Sequence, residues 1–310
     1  MNAVADFPCL ANSQNLRQID VEFDEETSTL YWWMKPSPRP CFNVEFLQEV
    51  EQFESRVEQH QGWFRHEGRE CKIEHAVFGS RVPGVFNLGG DLAMFIQSIL
   101  RKDRKTLTYY GDLCIDNILR RLTGFGAGVS TISLVQGKAF GGGFECALSS
   151  ELIIAERSST FSFPETLFNL FPGMGALSLL ARKVGLRKAE EIIMSGEIYT
   201  AKQMHALGVV DELCEDEQGV ATARAMVKAR HRRRNSYRAM SLAKREFSPV
   251  NHAEMKAIVD IWVDAAMRLE TRDLRMMGRL VRAQNKLQNA NPDEELVDRL
   301  FAPVPNVVNA

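Results

Sequence analysis

Apolar and polar positions change period several times along the 310-residue chain. Residues 16–22 and 29–34 alternate as strands do, on either side of the acidic turn DEETS. Prolines at 36, 38 and 40 then interrupt regular structure. Residues 44–60 place Phe46, Leu47, Val50, Phe53 and Val57 at helical spacing and predict an amphipathic helix. A short strand is expected over 73–78. Asp91 stands where it can cap a helix through 94–100, and 108–122 predict another, with Cys114, Ile115, Ile118 and Leu119 on one side. The middle third alternates more tightly. An apolar strand over 129–135 meets the glycine-rich turn GKAFGGG, a short helix starts at Phe144, and strands follow at 152–155 and 160–163. From Ala176 helical patterns dominate, apart from an apolar segment over 208–213. Residues 1–15 read as a flexible lead-in, and 291–310, with three prolines, as a flexible tail. The order predicts an α/β core over 16–215 and a helical C-terminal region over 216–290.

Composition narrows the class. Hydrophobic residues make up 45% and charged residues 25%, which argues for a soluble globular protein with a sizeable core. A net charge of -2 gives no global field for nucleic acid, so no nucleic-acid partner is expected. Cys9, Cys41, Cys71, Cys114, Cys146 and Cys214 contain no C-x-x-C pair, and the six histidines show no metal-ligand spacing. Neither a zinc site nor a disulfide framework is expected, and the spacing fits a reducing compartment. No apolar run reaches the ~18 residues of a membrane helix, and the N-terminus lacks a secretory pattern, so the expected location is the cytoplasm, with no membrane insertion.

Candidate chemistry concentrates in VQGKAFGGGFECALSSELIIAERSSTFSFPETLFNLFPGMG. Gly141, Gly142 and Gly143 stand between an apolar strand and a helix start, where unpaired N–H groups carry partial positive charge. That is either an oxyanion hole or a tight turn made for packing. Glu145 follows on the first helical turn, and Glu165 twenty residues later, after Pro164. Each is either a carboxylate serving acid–base chemistry in a shared cavity or an acid at a helix start. GVFNLGGDLAMF repeats the device with Gly89, Gly90 and Asp91, so two such turns can supply two donors to one oxyanion, or Asp91 simply caps a helix. The basic run KARHRRRNSYR is either a solvated helix face or a contact for an acidic carrier or a phosphopantetheine phosphate.

These motifs together resemble the crotonase (enoyl-CoA hydratase/isomerase) superfamily. FNLGGDL stands at the family's first oxyanion loop, QGKAFGGGFECAL at its second loop and first acid, FSFPETLFNLFPGMG at its second acid, and AKQMHALGVVDEL at its "A…GLVDEV" segment. The resemblance implies a crotonase-like ββα spiral core with a C-terminal helical oligomerisation region, and a homotrimer or hexamer. It implies backbone donors at Gly90 and Gly142, catalytic roles for Glu145 and Glu165, and no metal or other cofactor. Substrate contacts are expected at Phe140, Gly141, Leu170, Met174 and Trp262; Met174 and Trp262 read equally as core, and Leu170 more as core than as pocket wall. Phe140, Asn169 and Met174 depart from the common hydratase pattern toward bulk and imply a reshaped acyl cavity.

The stretch RKDRKTLTYYGDLCIDNILRRL, the long N-terminal helix and the FNLGGDLAMF form are most similar to bacterial diffusible signal factor synthases. That similarity implies dehydration of a 3-hydroxyacyl thioester on acyl carrier protein, then thioester hydrolysis to a cis-2-unsaturated fatty acid signal. It also implies a contact with a sensor-kinase receiver domain. The alternatives are an ordinary enoyl-CoA hydratase or isomerase acting on CoA thioesters, and a non-catalytic regulatory protein on the same scaffold.

Overall fold

The computed structural model describes residues 16–288 and 300–301. The expected lead-in (1–15) and all of the expected tail (291–310) except 300–301 lie outside the described residues. In chain order the elements are β1 (Ile19–Asp24), β2 (Thr29–Met34), α1 (Val44–Gln59), β3 (Trp63–His66), β4 (Arg69–Lys72), β5 (His75–Ser80) and β6 (Val85–Asn87). Next come α2 (Leu92–Leu100), α3 (Arg104–Leu122), β7 (Ser130–Val135), β8 (Lys138–Phe140), α4 (Gly142–Leu148), β9 (Leu152–Glu156) and β10 (Thr160–Ser162). The chain continues through α5 (Ala176–Val184), α6 (Leu186–Ser195), β11 (Tyr199–Thr200), α7 (Ala201–Ala206) and β12 (Glu212–Cys214). It then runs through α8 (Gly219–His231), α9 (Arg234–Phe247), α10 (His252–Ala266) and α11 (Thr271–Gln288).

The main sheet has the order β1-β2-β5-β7-β9-β12 and a smaller sheet the order β11-β10-β8-β6. In the main sheet only β1 runs antiparallel, to β2. Burial on both faces explains why β2, TLYWWM, is nearly all apolar. Leu30, Trp32, Met34, Ala76, Phe78, Val135 and Ile153 face the large core shared with the second sheet and α1–α3. Their alternates Tyr31, Trp33, Val77, Ile132, Leu134 and Ile154 face the other way, where Ala223 and Val227 of α8 cover them.

The α1 helix starts where Asn43 accepts a hydrogen bond from Phe46 N, and it buries Phe46, Leu47, Val50 and Val57. The helix expected from residue 108 begins at Arg104, because the Asp103 side chain caps it by accepting from Thr106 N. The β3–β4 hairpin was not legible in the sequence. Its two-residue turn, Glu67 (φ 48°) and Gly68 (φ 78°), is built on a less diagnostic pair than Asn-Gly. The apolar segment expected over 208–213 yields a strand only from Glu212; Val209 and Val210 instead bury against the end of α7.

Met255, Val259, Trp262 and Met277 of α10 and α11 belong to the same hydrophobic cluster as Phe95 and Tyr110. The C-terminal helices pack on α2 and α3 and thereby reach the site. No helix among the described residues is long and apolar enough to cross a membrane.

Candidate active site

At the end of β8 the chain turns sharply. Gly141 has φ 53° and ψ −125°, a backbone state natural to glycine, and its N–H donates to Ser162 O at 2.8 Å. A Cβ there would lie 2.5 Å from Glu165 Oε1, and one on Gly143 would lie 2.1 Å from Asn87 O. The triplet lets strand, helix and acid approach this closely. The FNLGGDL loop meets it: Asn87 Oδ1 accepts from Gly89 N at 2.8 Å, and a Cβ on Gly89 would sit 2.9 Å from Gly142 N. The N–H groups of Gly90 and Gly142 donate to no acceptor among the described residues, and both glycines line one cavity.

Glu145 lies on α4 and is 2% exposed. Its Oε1 accepts from Met174 N (2.8 Å) and Ala176 N (3.0 Å), which pins the P-G-M-G turn against it. Burial pushes its carboxyl up to about 7, with the two amides pulling the other way. Glu165 sits on a 3-10 turn, Pro164–Phe168, started by Pro164. Burial first, and the charge of Glu145 second, push its carboxyl up to about 8. Its Oε2 is buried without a partner among the described residues. Asn169 ends this turn at φ 60°, a left-handed state asparagine tolerates, and its Nδ2 donates to Asp273 Oδ2 of α11 at 3.4 Å. Asparagine thus serves at a left-handed position that otherwise favours glycine.

The cavity and the solvent-open space at its mouth together span about 610 Å³. Seven of the nine expected site residues line it: Glu145, Glu165, Gly90, Gly142, Leu170, Met174 and Trp262. Phe140 and Gly141 do not. Phe140 closes β8 in register with Ser162 and belongs to the sheet, and Gly141 supports Glu165 from beneath. Trp262 packs against Gly173, where a Cβ would come within 2.4 Å of its Cγ, and its ring meets Phe95 edge-on at 5.2 Å.

Sequence reasoning missed the wall supplied by α3. Tyr110, Cys114, Asn117 and Arg121 all line the cavity. Their spacing of four, three and four places them on one helical face, the only signal available. Spanning eleven residues, that face is about 16 Å long. Its polar groups are satisfied sideways: Tyr110 Oη donates to Phe42 O (2.8 Å) and Asn117 Nδ2 to Leu47 O (3.1 Å). Arg121 Nε donates to Glu54 Oε1 (2.8 Å) and its Nη1 to Cys146 Sγ (2.8 Å). Burial keeps the Cys114 thiol protonated far beyond its ordinary range. Two carboxyls with raised pKa values thus share one cavity with two free amides, an arrangement suited to proton transfer beside a carbonyl.

Known proteins agree with this reading of the fold. The chain is 29% identical over 180 residues to the Arabidopsis thaliana mitochondrial protein described as probable enoyl-CoA hydratase 2, covering 57% of this chain and 53% of that one. It is 31% identical over 156 residues to the mouse (Mus musculus) mitochondrial enoyl-CoA hydratase domain-containing protein 2, covering 48% of this chain and 49% of that one. It therefore spans about half the length of these curated relatives. The human mitochondrial delta3-delta2-enoyl-CoA isomerase superposes with a TM-score of 0.70 at 17% identity, over 87% of this chain and 99% of that one. The enoyl-CoA hydratase/isomerase family pattern matches residues 64–278, a span containing both glycine loops and both carboxyls, and the chain belongs to that family, with its crotonase fold.

Proposed function

We propose that the chain adds water to, or removes it from, the C2–C3 position of an acyl thioester. The observation that carries this reading is the sharing of one buried cavity by Glu145, Glu165 and the free N–H groups of Gly90 and Gly142. The thioester oxygen sits against the two amides, which stabilise the enolate-like charge developing in the transition state; one such donor is worth about 3 kcal/mol. Glu145, held by two backbone amides, is the easier of the two to ionise, and Glu165 keeps its proton. In hydration, then, Glu145 takes the proton of the attacking water and Glu165 delivers one to C2. In dehydration the roles reverse: Glu165 removes the C2 proton and Glu145 protonates the departing 3-hydroxyl. Family membership supports a CoA thioester as substrate.

A second reading rests on Glu165 Oε2, buried and unpartnered among the described residues. In this reading the ionised form of Glu165 takes a proton from a water attacking the same carbonyl, the two amides stabilise the tetrahedral intermediate, and that proton passes to the departing thiolate. The chain then dehydrates a 3-hydroxyacyl group on acyl carrier protein and hydrolyses the thioester, releasing a cis-2-unsaturated fatty acid signal, as its similarity to diffusible signal factor synthases implies. Exposed Leu167, Leu186, Met194 and Ile198 on and beside α6 support self-association as a trimer or hexamer.

Incubation with 3-hydroxyacyl-CoA and 3-hydroxyacyl-carrier protein tests both readings. The first expects a 2-enoyl thioester, and the second a free cis-2 acid from the carrier substrate. Unchanged turnover after Glu145→Gln and after Glu165→Gln overturns both.

A further inference from the structure

A second cavity, spanning about 980 Å³ with its solvent-open mouth, lies where the central strands of the main sheet begin. His75 and Ser130 begin β5 and β7 there and Glu151 immediately precedes β9, whereas Gly90 and Gly141 follow β6 and β8. Five cationic side chains line it, namely Lys72, Arg230, Arg234, Arg238 and Arg245, against two carboxylates, Glu74 and Glu151. Arg234, Arg238, Ser241 and Arg245 repeat at four, three and four residues, so one face of α9 is turned into the cavity. Within the basic run the partners divide. Lys228 pairs with Glu26 at 2.5 Å, away from the cavity. Arg230 stacks over the Tyr237 ring at 4.7 Å and Arg245 Nη1 donates to Thr123 O at 2.7 Å. Among the described residues, none of the four cavity arginines lies within ion-pair distance of a carboxylate.

That convergence is costly on its own. Like charges four residues apart on a helix repel, and burial lowers the pKa of Arg245, disfavouring its charge. Burial lowers the pKa of His75, which lines the same space; Glu74 and Glu151 oppose that shift, and Arg230 and His231 add to it. The site is also shaped: Gly128 (φ 71°) has no side chain where one would stand 3.1 Å from the Arg238 guanidinium, so Arg238 lies directly on the backbone of the 124–128 turn. Glu151 is occupied by Ser130 and Ser241 hydroxyls at 3.0 and 3.1 Å rather than by an arginine. Planar guanidinium forks without carboxylate partners match phosphoryl oxygens.

We propose that this second cavity binds a phosphate ester, through Arg230, Arg234, Arg238 and Arg245, at a site separate from the acyl cavity. The phosphoryl group comes either from a soluble phosphorylated metabolite or from the phosphate-bearing arm of a thioester substrate.

Calorimetric titration of the full chain with inorganic pyrophosphate, ADP and CoA tests this. Pyrophosphate and ADP are expected to bind at one equivalent per chain, more weakly as salt rises. The Arg234→Gln/Arg238→Gln double variant is expected to lose about tenfold or more in affinity, and the single charge reversal Arg238→Glu to do the same. Both positions are exposed, and the unliganded unfolding midpoint checks that each variant is folded. CoA binding that falls with the variants identifies the thioester arm as the source. CoA binding that persists while pyrophosphate binding falls identifies a soluble ester. Absence of saturable binding by pyrophosphate and ADP below about 1 mM overturns the proposal, as does binding that the substitutions leave unchanged. Neither result bears on the acyl cavity, whose own test is turnover.

Discussion

The carboxyl of Glu165 rests on the bare backbone of Gly141, so close that a methyl group there would lie 2.5 Å from Oε1. The turn that starts α4 therefore also sets the position of the second acid. Gly141→Ala is expected to push that carboxyl aside while leaving the fold in place, since the struck atom is the end of a side chain. A misplacement of about 1 Å costs on the order of 10²-fold in rate. Steady-state kinetics should show the loss mainly in kcat. The backbone state of φ 53° and ψ −125° adds about 1–3 kcal/mol of strain for alanine, visible in denaturant unfolding. Unaltered kcat would separate Gly141 from the positioning of Glu165.

The pH profile follows from the two carboxyls. Hydration needs Glu145 ionised and Glu165 protonated. Activity should rise as Glu145 loses its proton near pH 7 and fall as Glu165 loses its own near pH 8. The observed constants belong to the pair, because each charge disfavours the other. A narrow bell in kcat/KM is expected in the direction of hydration. Glu145→Gln should lower the rate by about 10²–10⁴-fold and flatten the acidic limb, and Glu165→Gln should do the same to the alkaline limb.

Burial of Glu165 also links stability to pH. Its folded pKa of about 8 exceeds its ordinary 4.5, so between those values the folded chain holds a proton that the unfolded chain releases. Its contribution is fully present below about pH 4.5 and is lost as pH rises through 8. Glu165→Gln removes that dependence. Compared with the natural chain, the variant should gain about 1–3 kcal/mol between pH 5.5 and pH 8.5 in urea unfolding, a ceiling set by 1.36 kcal/mol per pKa unit and reduced because the residue is partly exposed. A gain that does not vary with pH would mean that Glu165 is ionised in the folded chain.

Much of this site was legible because its chemistry is local in the chain. A glycine triplet followed by Glu145, and Pro164 followed by Glu165, each mark a turn whose purpose shows within a few residues. The α3 wall was not legible, since helical spacing puts Tyr110, Cys114, Asn117 and Arg121 on one face without saying what that face meets. Phe140 and Gly141 lie outside the cavity lining for the converse reason. They adjoin the oxyanion glycine in sequence, yet strand pairing with β10 draws Phe140 into the sheet. The basic run divides in the same way, with Lys228 reaching Glu26 and Arg238 reaching Gly128, because helix rotation separates neighbours in the chain.

The ion pair beneath the cavity gives the sharpest stability test. Glu54 and Arg121 are 1% and 2% exposed, and their Oε1 and Nε lie 2.8 Å apart. The Arg121 guanidinium also stands over the Trp32 and Phe78 rings at 5.4 and 5.5 Å, so its packing matters as much as its charge. Burial alone pushes the Glu54 carboxyl toward its neutral form, and Arg121 opposes that shift. Arg121→Met strands a buried carboxylate and is expected to cost about 3–5 kcal/mol, and Glu54→Leu, stranding the guanidinium, about as much. The double variant removes both charges at similar volume and should recover most of that loss. A double-mutant cycle in urea unfolding measures the coupling. If the double variant is as unstable as the sum of the singles, the pair contributes through packing rather than through charge. Cavity shape is a second readout, because Arg121 also holds Cys146 in the wall. Arg121→Met should therefore raise KM for acyl substrates more than it changes kcat, since it touches neither carboxyl of the reacting end.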